Sequence, residues 1–186
     1  MVENIDDHAF DFDCLPDAVA KSTHPRVPLT SLLVSLTRGG GSKATKARSS
    51  HNRLYVGVHD NGVSLPSTVR NRDRLGGLKD SVEIVSRLLE NTITAEGRAP
   101  LRELGYPELI LLGEKARSFG WGITLQVVTQ LEDLPKDAII VTRTLPPLHG
   151  VQKSPKTSAV TLTGVPFVGT SVGITISVPG QTDWLN

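Results

Sequence analysis

The motif in this chain that most resembles a catalytic one is Gly169-Thr-Ser-Val-Gly173. G-x-S-x-G is typical of hydrolases whose nucleophilic serine sits on a strained turn between a strand and a helix. Here the serine opens an alternating segment that predicts a strand, no helix follows, and no histidine lies after His149. We therefore interpret Ser171 as a strand residue. A serine hydrolase using Ser171, with His149 or His59 as the base, is the alternative hypothesis from the enzyme class.

The other polar residues indicate neither metal nor nucleotide chemistry. The chain has five histidines, at positions 8, 24, 51, 59 and 149, and none of their spacings is typical of two imidazoles on one metal ion. Cys14 is the only cysteine and has acidic neighbours, which disfavour a thiolate. Gly39-Gly-Gly-Ser-Lys43 lacks the glycine that a phosphate loop places directly before its lysine. We predict a non-enzymatic protein with no metal site and no small-molecule cofactor.

Charge is distributed unevenly along a nearly neutral chain. The net charge is +1, yet residues 38 to 79 hold nine basic residues against two acids, an excess of seven positive charges. Such a segment could neutralise the phosphates of RNA without reading its bases. The predicted nucleic-acid-binding residues are Arg38, Lys43, Lys46, Arg48, Arg53, Arg70, Arg72, Arg74 and Lys79. The alternative is a solvated loop, because Tyr55 is the only aromatic residue nearby for base stacking.

The chain length of 186 residues suits one well-buried domain. We predict an acidic, poorly ordered N-terminal arm over residues 1–26 and a single domain over 27–186, with a mobile basic loop at 38–53. The single cysteine and the acidic start, which lacks the features of a secretory signal, predict a cytoplasmic, reducing environment. The longest apolar cluster, Leu109–Leu112, is too short to span a bilayer.

Apolar periodicity predicts the elements that would position these residues. Strand patterns cover 29–37 and 54–58, and the Asn61-Gly62 turn predicts a short return strand at 63–65. Helical patterns follow at about 80–91 and 107–119, and in the second of these Leu109, Leu112 and Ala116 would face inward. Further strand patterns lie at 123–131, 138–144, 159–163 and 171–178. The last strand alternates most clearly, with Val172, Ile174 and Ile176 on one face. The order predicts an α+β fold, a mostly antiparallel sheet with two central helices packed on one face.

Two short segments resemble viral structural proteins. Tyr106-Pro-Glu-Leu109 matches the YPxL type of budding motif. Glu114-Lys-Ala-Arg-Ser-Phe-Gly120 resembles a segment of some rhabdovirus matrix proteins, where it precedes a strand as it would here. The resemblance implies a small matrix protein of the virion that self-associates, condenses nucleocapsid and contacts membrane. The chain departs from that family at its N-terminus, where an acidic arm stands in place of the family's lysine-rich segment and its proline-tyrosine motif. Peripheral membrane contact is an expectation from the resemblance.

These observations together predict a binding and assembly protein. It would form homo-oligomers and contact RNA, nucleoprotein or another polyanion through its basic surface. A third hypothesis is a protein–protein interaction module with no nucleic-acid role. Such a module would pair with its partner through an open sheet edge or through the small polar face of the last strand, formed by Ser171, Gly173, Thr175 and Ser177.

Overall fold

A computed structural model describes residues 29–37, 51–71, 80–90, 107–131, 136–148 and 154–179. The strands are β1 (Thr30–Thr37), β2 (His51–Asp60), β3 (Gly122–Gln130), β4 (Ala138–Leu145), β5 (Lys156–Leu162) and β6 (Thr170–Pro179). The helices are α1 (Leu65–Asn71), α2 (Ser81–Glu90) and α3 (Pro107–Ser118). The strands form one sheet in the order β1-β2-β6-β3-β4-β5, and every neighbouring pair is antiparallel. The predicted α+β class with an antiparallel sheet is confirmed.

Strand alternation gives the sheet two chemically different faces. Val58, Val172, Val127 and Val141 lie side by side across four strands and are buried; we call their side the core face. The opposite side, the polar face, carries the small polar residues of β6. Its central members include Arg53, Tyr55, Gly57, His59, Thr124, Gln126, Thr142, Ser171, Gly173, Thr175 and Ser177, together with the apolar Val128 and Ile140. The division predicted for β6 is therefore confirmed.

Side chains of α2 and α3 belong to the same buried cluster as the core face of the sheet, through Val85, Leu89 and Ala116. Helix α2 begins where the sequence predicts, because the Glu83 amide donates to Asp80 Oδ1 at 2.8 Å and so caps its first turn. Its Ser81 hydroxyl also donates to the Leu131 carbonyl at 2.8 Å, which fixes the start of α2 to the end of β3.

The predicted return strand at 63–65 is wrong. Leu65–Asn71 is a helix instead, and β2 lies between β1 and β6. Ser64 caps this helix, since its Oγ accepts from the Ser67 amide at 3.2 Å, and Pro66 occupies the first turn, where a missing N–H costs nothing. The Asn-Gly turn therefore leads into α1 rather than into a hairpin.

Two further details differ from the predictions. β2 begins at His51, so the predicted loop 38–53 ends earlier and Arg53 is a strand residue. Leu112, predicted to face inward, is exposed, although Ala116 is buried as expected. The inner stripe of α3 runs through Gly113 instead, whose added Cβ would lie only 2.9 Å from Leu145 Cδ1. Leu112, one residue earlier, lies outside this buried stripe.

Candidate functional site

The structure describes two of the nine predicted cationic residues. Arg53 is exposed on the polar face of β2, between Thr37 of β1 and Ser177 of β6. Arg70 belongs to α1, which follows the end of β2 at Asp60. That strand end lies seven residues, or roughly 23 Å, from Arg53. The other predicted residues, Arg38, Lys43, Lys46, Arg48, Arg72, Arg74 and Lys79, lie outside the described residues, as do the predicted arm at 1–26 and most of the predicted loop. Among the described residues, Arg53 is thus the predicted cation that lies on the polar face.

β1 is an edge strand that is exposed along its whole length. On the core face, Leu32, Val34 and Leu36 keep 66%, 58% and 67% of their surface accessible. The strand contains no charged residue and no proline, and its register with β2 runs from Thr30 to Thr37 without a bulge. Charges, prolines and bulges are the usual features that prevent an edge strand from pairing with another chain. We call this strand the β1 edge.

An aromatic ring lies at the centre of the polar face. Tyr55 is half-buried, and its ring covers Gly57 and Gly173, which are direct cross-strand partners. A Cβ added to Gly173 would lie 2.7 Å from both Cε2 and Oη of Tyr55, and a Cβ added to Gly57 would overlap Oη. The ring therefore occupies the space that side chains at these two positions would need.

The polar face has no carboxylate among its described residues. Arg53 and Lys156 are its cations, and both are exposed. The described acids lie elsewhere: Asp60 on the core face, Asp80, Glu83 and Glu90 at or in α2, Glu108 and Glu114 in α3, and Asp137 before β4. The described part of the polar face thus offers neutral polar groups and positive charge to a ligand, beside the apolar Val128 and Ile140.

Ser171 and His59 are direct cross-strand partners on the polar face. The imidazole also packs edge-on against Phe167, with 5.4 Å between ring centroids, and burial lowers the pKa of His59. No hydrogen bond joins the two side chains in the described structure, and Asp60, the neighbour of His59, is buried on the other face. His149 lies outside the described residues. The described residues thus pair a serine with a histidine but supply no acid to orient the imidazole.

Asp60 is a buried carboxyl at the end of β2. Its Oδ1 accepts from the Gly62 amide at 2.9 Å, and burial raises its pKa to about 6. Gly169 lies against this strand end with φ of +79°, and an added Cβ there would come within 2.7 Å of Asn61 Cα. The close backbone approach explains the glycine, and the arrangement joins the end of β2 to the start of β6.

Sequence reasoning missed two of these features. The Leu-Val run of β1 is typical of a buried strand, so nothing in the pattern indicates its exposure. The sequence distinguishes Tyr55 only as the aromatic residue near the basic segment. The usable signal was the glycine two positions later, since Gly57 lies on the same face of a strand as Tyr55.

No protein family, curated protein or solved structure matches this chain. None of the described helices is long and apolar enough to cross a bilayer. Among the described residues, no group of three or more His, Cys, Asp or Glu side chains is placed to hold a metal ion.

Proposed function

We propose that this protein is a non-enzymatic binding and assembly protein, matrix-like and part of a virion, that self-associates and contacts RNA or another polyanion. The observation that carries the proposal is the β1 edge. An exposed, regular and uncharged edge strand is a template for a further strand. A protein that functions as a monomer would be expected to protect it.

A second copy of the chain fits this edge in one register best. In an antiparallel pair centred on Val34, that residue meets its own copy, and Leu32 meets Leu36 of the second copy. All core-face apolar residues of β1 then have apolar partners. Cross-strand pairs of this kind stabilise a sheet by roughly 0.2–1 kcal/mol each. On the polar face, Ser31 would meet Thr37 and Leu33 would meet Ser35.

The rest of the proposal follows from the charge pattern and the layer arrangement. In it, α2 and α3 are two central helices that cover the core face, and the polar face with Arg53 stays accessible. The excess of seven positive charges over residues 38–79 supports contact with RNA or nucleoprotein. We propose a cytoplasmic location because of the single cysteine and the acidic N-terminus, and peripheral membrane contact is supported by the matrix resemblance alone.

The test of self-association compares one substitution on each edge of the sheet. Val34→Lys places two like charges opposite each other in the proposed register, which is destabilising. Val160 lies on β5, the other edge strand, and is exposed by 57% against 58% for Val34. Val160→Lys is therefore the matched control.

Sedimentation velocity over a wide range of protein concentrations measures the outcome. We expect wild type to associate with increasing concentration, Val34→Lys to associate about tenfold or more weakly, and Val160→Lys to behave as wild type. A wild-type monomer at all concentrations, or equal effects of the two lysines, would refute assembly through β1.

A further inference from the structure

The polar face has a flat aromatic platform at its centre. The Tyr55 ring rests on the backbone of Gly57 and Gly173, because neither position has a side chain that would lift it. One side of the ring is therefore used by the sheet, and the other side points away from it. A ring held in this way loses little freedom when another planar group stacks on it.

Neutral hydrogen-bonding groups surround this platform. Thr175 is the direct cross-strand partner of Tyr55, and Thr124 pairs with Thr175 from the other side. Gln126 pairs with Gly173, one step along the same face. Hydroxyl and amide groups of this kind can donate to and accept from the edge of a heterocyclic base.

Charge on the same face favours an anionic ligand. Arg53 precedes Tyr55 by two residues, so their Cα atoms lie about 6–7 Å apart along the strand and their side chains share a face. The described residues of the polar face include no carboxylate that would repel phosphate. An uncharged ring compound, such as an oligosaccharide, would gain nothing from this charge pattern.

We propose that the polar face binds single-stranded nucleic acid, with an unpaired base stacked on Tyr55 and a neighbouring phosphate contacted by Arg53. This inference rests on the polyanion contact of the proposed function and specifies both its site and its ligand. Bases within a duplex are stacked on each other, so the ring can accept only an unpaired one. Stacking on an aromatic side chain strengthens binding by about 5-fold to about 150-fold per base.

The experiment separates base stacking from charge. The abasic oligonucleotide and the glucan remove the base and the charge from the ligand, and substitutions of Tyr55 and Arg53 remove the ring and the charge from the protein. Fluorescence anisotropy measures binding of a labelled single-stranded RNA, an abasic oligonucleotide of the same length, a duplex RNA and a neutral glucan oligosaccharide. The variants are Tyr55→Leu, Tyr55→Phe, Arg53→Gln and the control Phe119→Leu, which removes an exposed ring from the end of α3. Thermal melting establishes that each variant is folded.

We expect wild type to prefer the base-bearing strand over the abasic one, and Tyr55→Leu to abolish that preference with a loss of about fivefold or more. Tyr55→Phe and Phe119→Leu should bind as wild type. Arg53→Gln should reduce the slope of log affinity against log salt by about 0.7, the value for one phosphate contact on a single strand, whereas Tyr55→Leu should leave that slope unchanged.

The possible failures are distinguishable. If the protein binds RNA tightly and neither the abasic change nor Tyr55→Leu alters the affinity, the stacking site is refuted and the polyanion contact is retained. Absence of binding to every polyanion would overturn both, while self-association through β1 would be judged separately. Binding of the glucan that Tyr55→Leu abolishes would assign the platform to a sugar and overturn the inference. If Tyr55→Leu does not fold, photo-cross-linking of 4-thiouridine RNA to wild type decides, and cross-links that avoid β2 and β6 would refute the site.

Discussion

The two ends of the sheet carry the same kinds of residue in different surroundings. On β4 the core-face residues Ile139, Val141 and Leu145 are fully buried, whereas the corresponding Leu32, Val34 and Leu36 of β1 are mostly exposed. β4 belongs to the same buried cluster as side chains of α2 and α3, and no described residue of β1 does. Apolar alternation thus predicts that a strand has an apolar face. What covers that face depends on the position of the strand in the sheet.

The two edge strands of the sheet, β1 and β5, also differ in the features that discourage pairing with another chain. β5 begins with Lys156, directly after Pro155, and charge and proline both discourage pairing at an edge. Its Thr157 also donates to Glu90 of α2 at 2.6 Å, which ties this edge to the helix. β1 has no charge or proline within Thr30–Thr37, although Pro28 and Arg38 flank it in the sequence. Within the described strands, the difference between the two edges is therefore the charge of Lys156 and the hydrogen bond from Thr157 to α2.

The largest expected effect concerns two leucines on the core face. Leu145→Ala removes a fully buried side chain from β4 and should lower the free energy of unfolding by about 2–5 kcal/mol, because it loses apolar burial and leaves a cavity. Leu36→Ala removes an exposed side chain from β1 and should change the monomer by less than about 0.5 kcal/mol. Urea denaturation at a concentration where the protein is monomeric provides the measurement. A large loss for Leu36→Ala would show that this end of the sheet is covered within the monomer.

The next effect concerns Asp60, whose carboxyl is buried at the end of β2 although the neighbouring strand β1 is exposed. Its pKa is about 6 in the folded protein against an ordinary 3.8, so the folded state binds the proton more tightly. The resulting stabilisation is fully present below pH 3.8 and is lost as the pH rises through 6. Wild type should therefore gain about 1.3 kcal/mol in unfolding free energy between pH 7 and pH 5 from this group.

Asp60→Asn removes this titration, so the difference between wild type and variant isolates it from other groups. Urea denaturation at pH 5, 6 and 7 gives the comparison. We expect the difference in unfolding free energy to change across this range in favour of wild type at the lower pH. A difference that stays constant with pH would mean that Asp60 is solvated, and hence that the end of β2 is open.

Local patterns predicted all six described strands and two of the three described helices, and they also predicted one strand that does not form. β6 alternates over its length, and Asp80 with Glu83 marks the start of α2, because these signals act within a few residues. The prediction of a return strand at 63–65 was wrong because two local signals competed there. Asn61-Gly62 fits a hairpin turn, but Ser64 followed by Pro66 fits a helix start, and the helix signal was the one realised.

The candidate surfaces could not be predicted in the same way because they depend on contacts between distant residues. Whether Leu36 or Leu145 is buried is decided by helices that lie far away in the sequence. The platform needs Gly173 to lie opposite Gly57, a pairing across more than a hundred residues. The strand order sets both, and no short motif encodes it.

The smallest expected effect tests the attachment of β5 to α2. Thr157→Val keeps the shape of the side chain but removes the hydroxyl that donates to Glu90. It should lower the free energy of unfolding by about 0.5–1 kcal/mol, the net value of a partly buried hydrogen bond. Thr30→Val, an exposed core-face position on β1, is the control and should have no measurable effect. Equal effects at the two positions would mean that α2 does not stabilise the β5 edge, and protection of that edge would then depend on Lys156 and Pro155 alone.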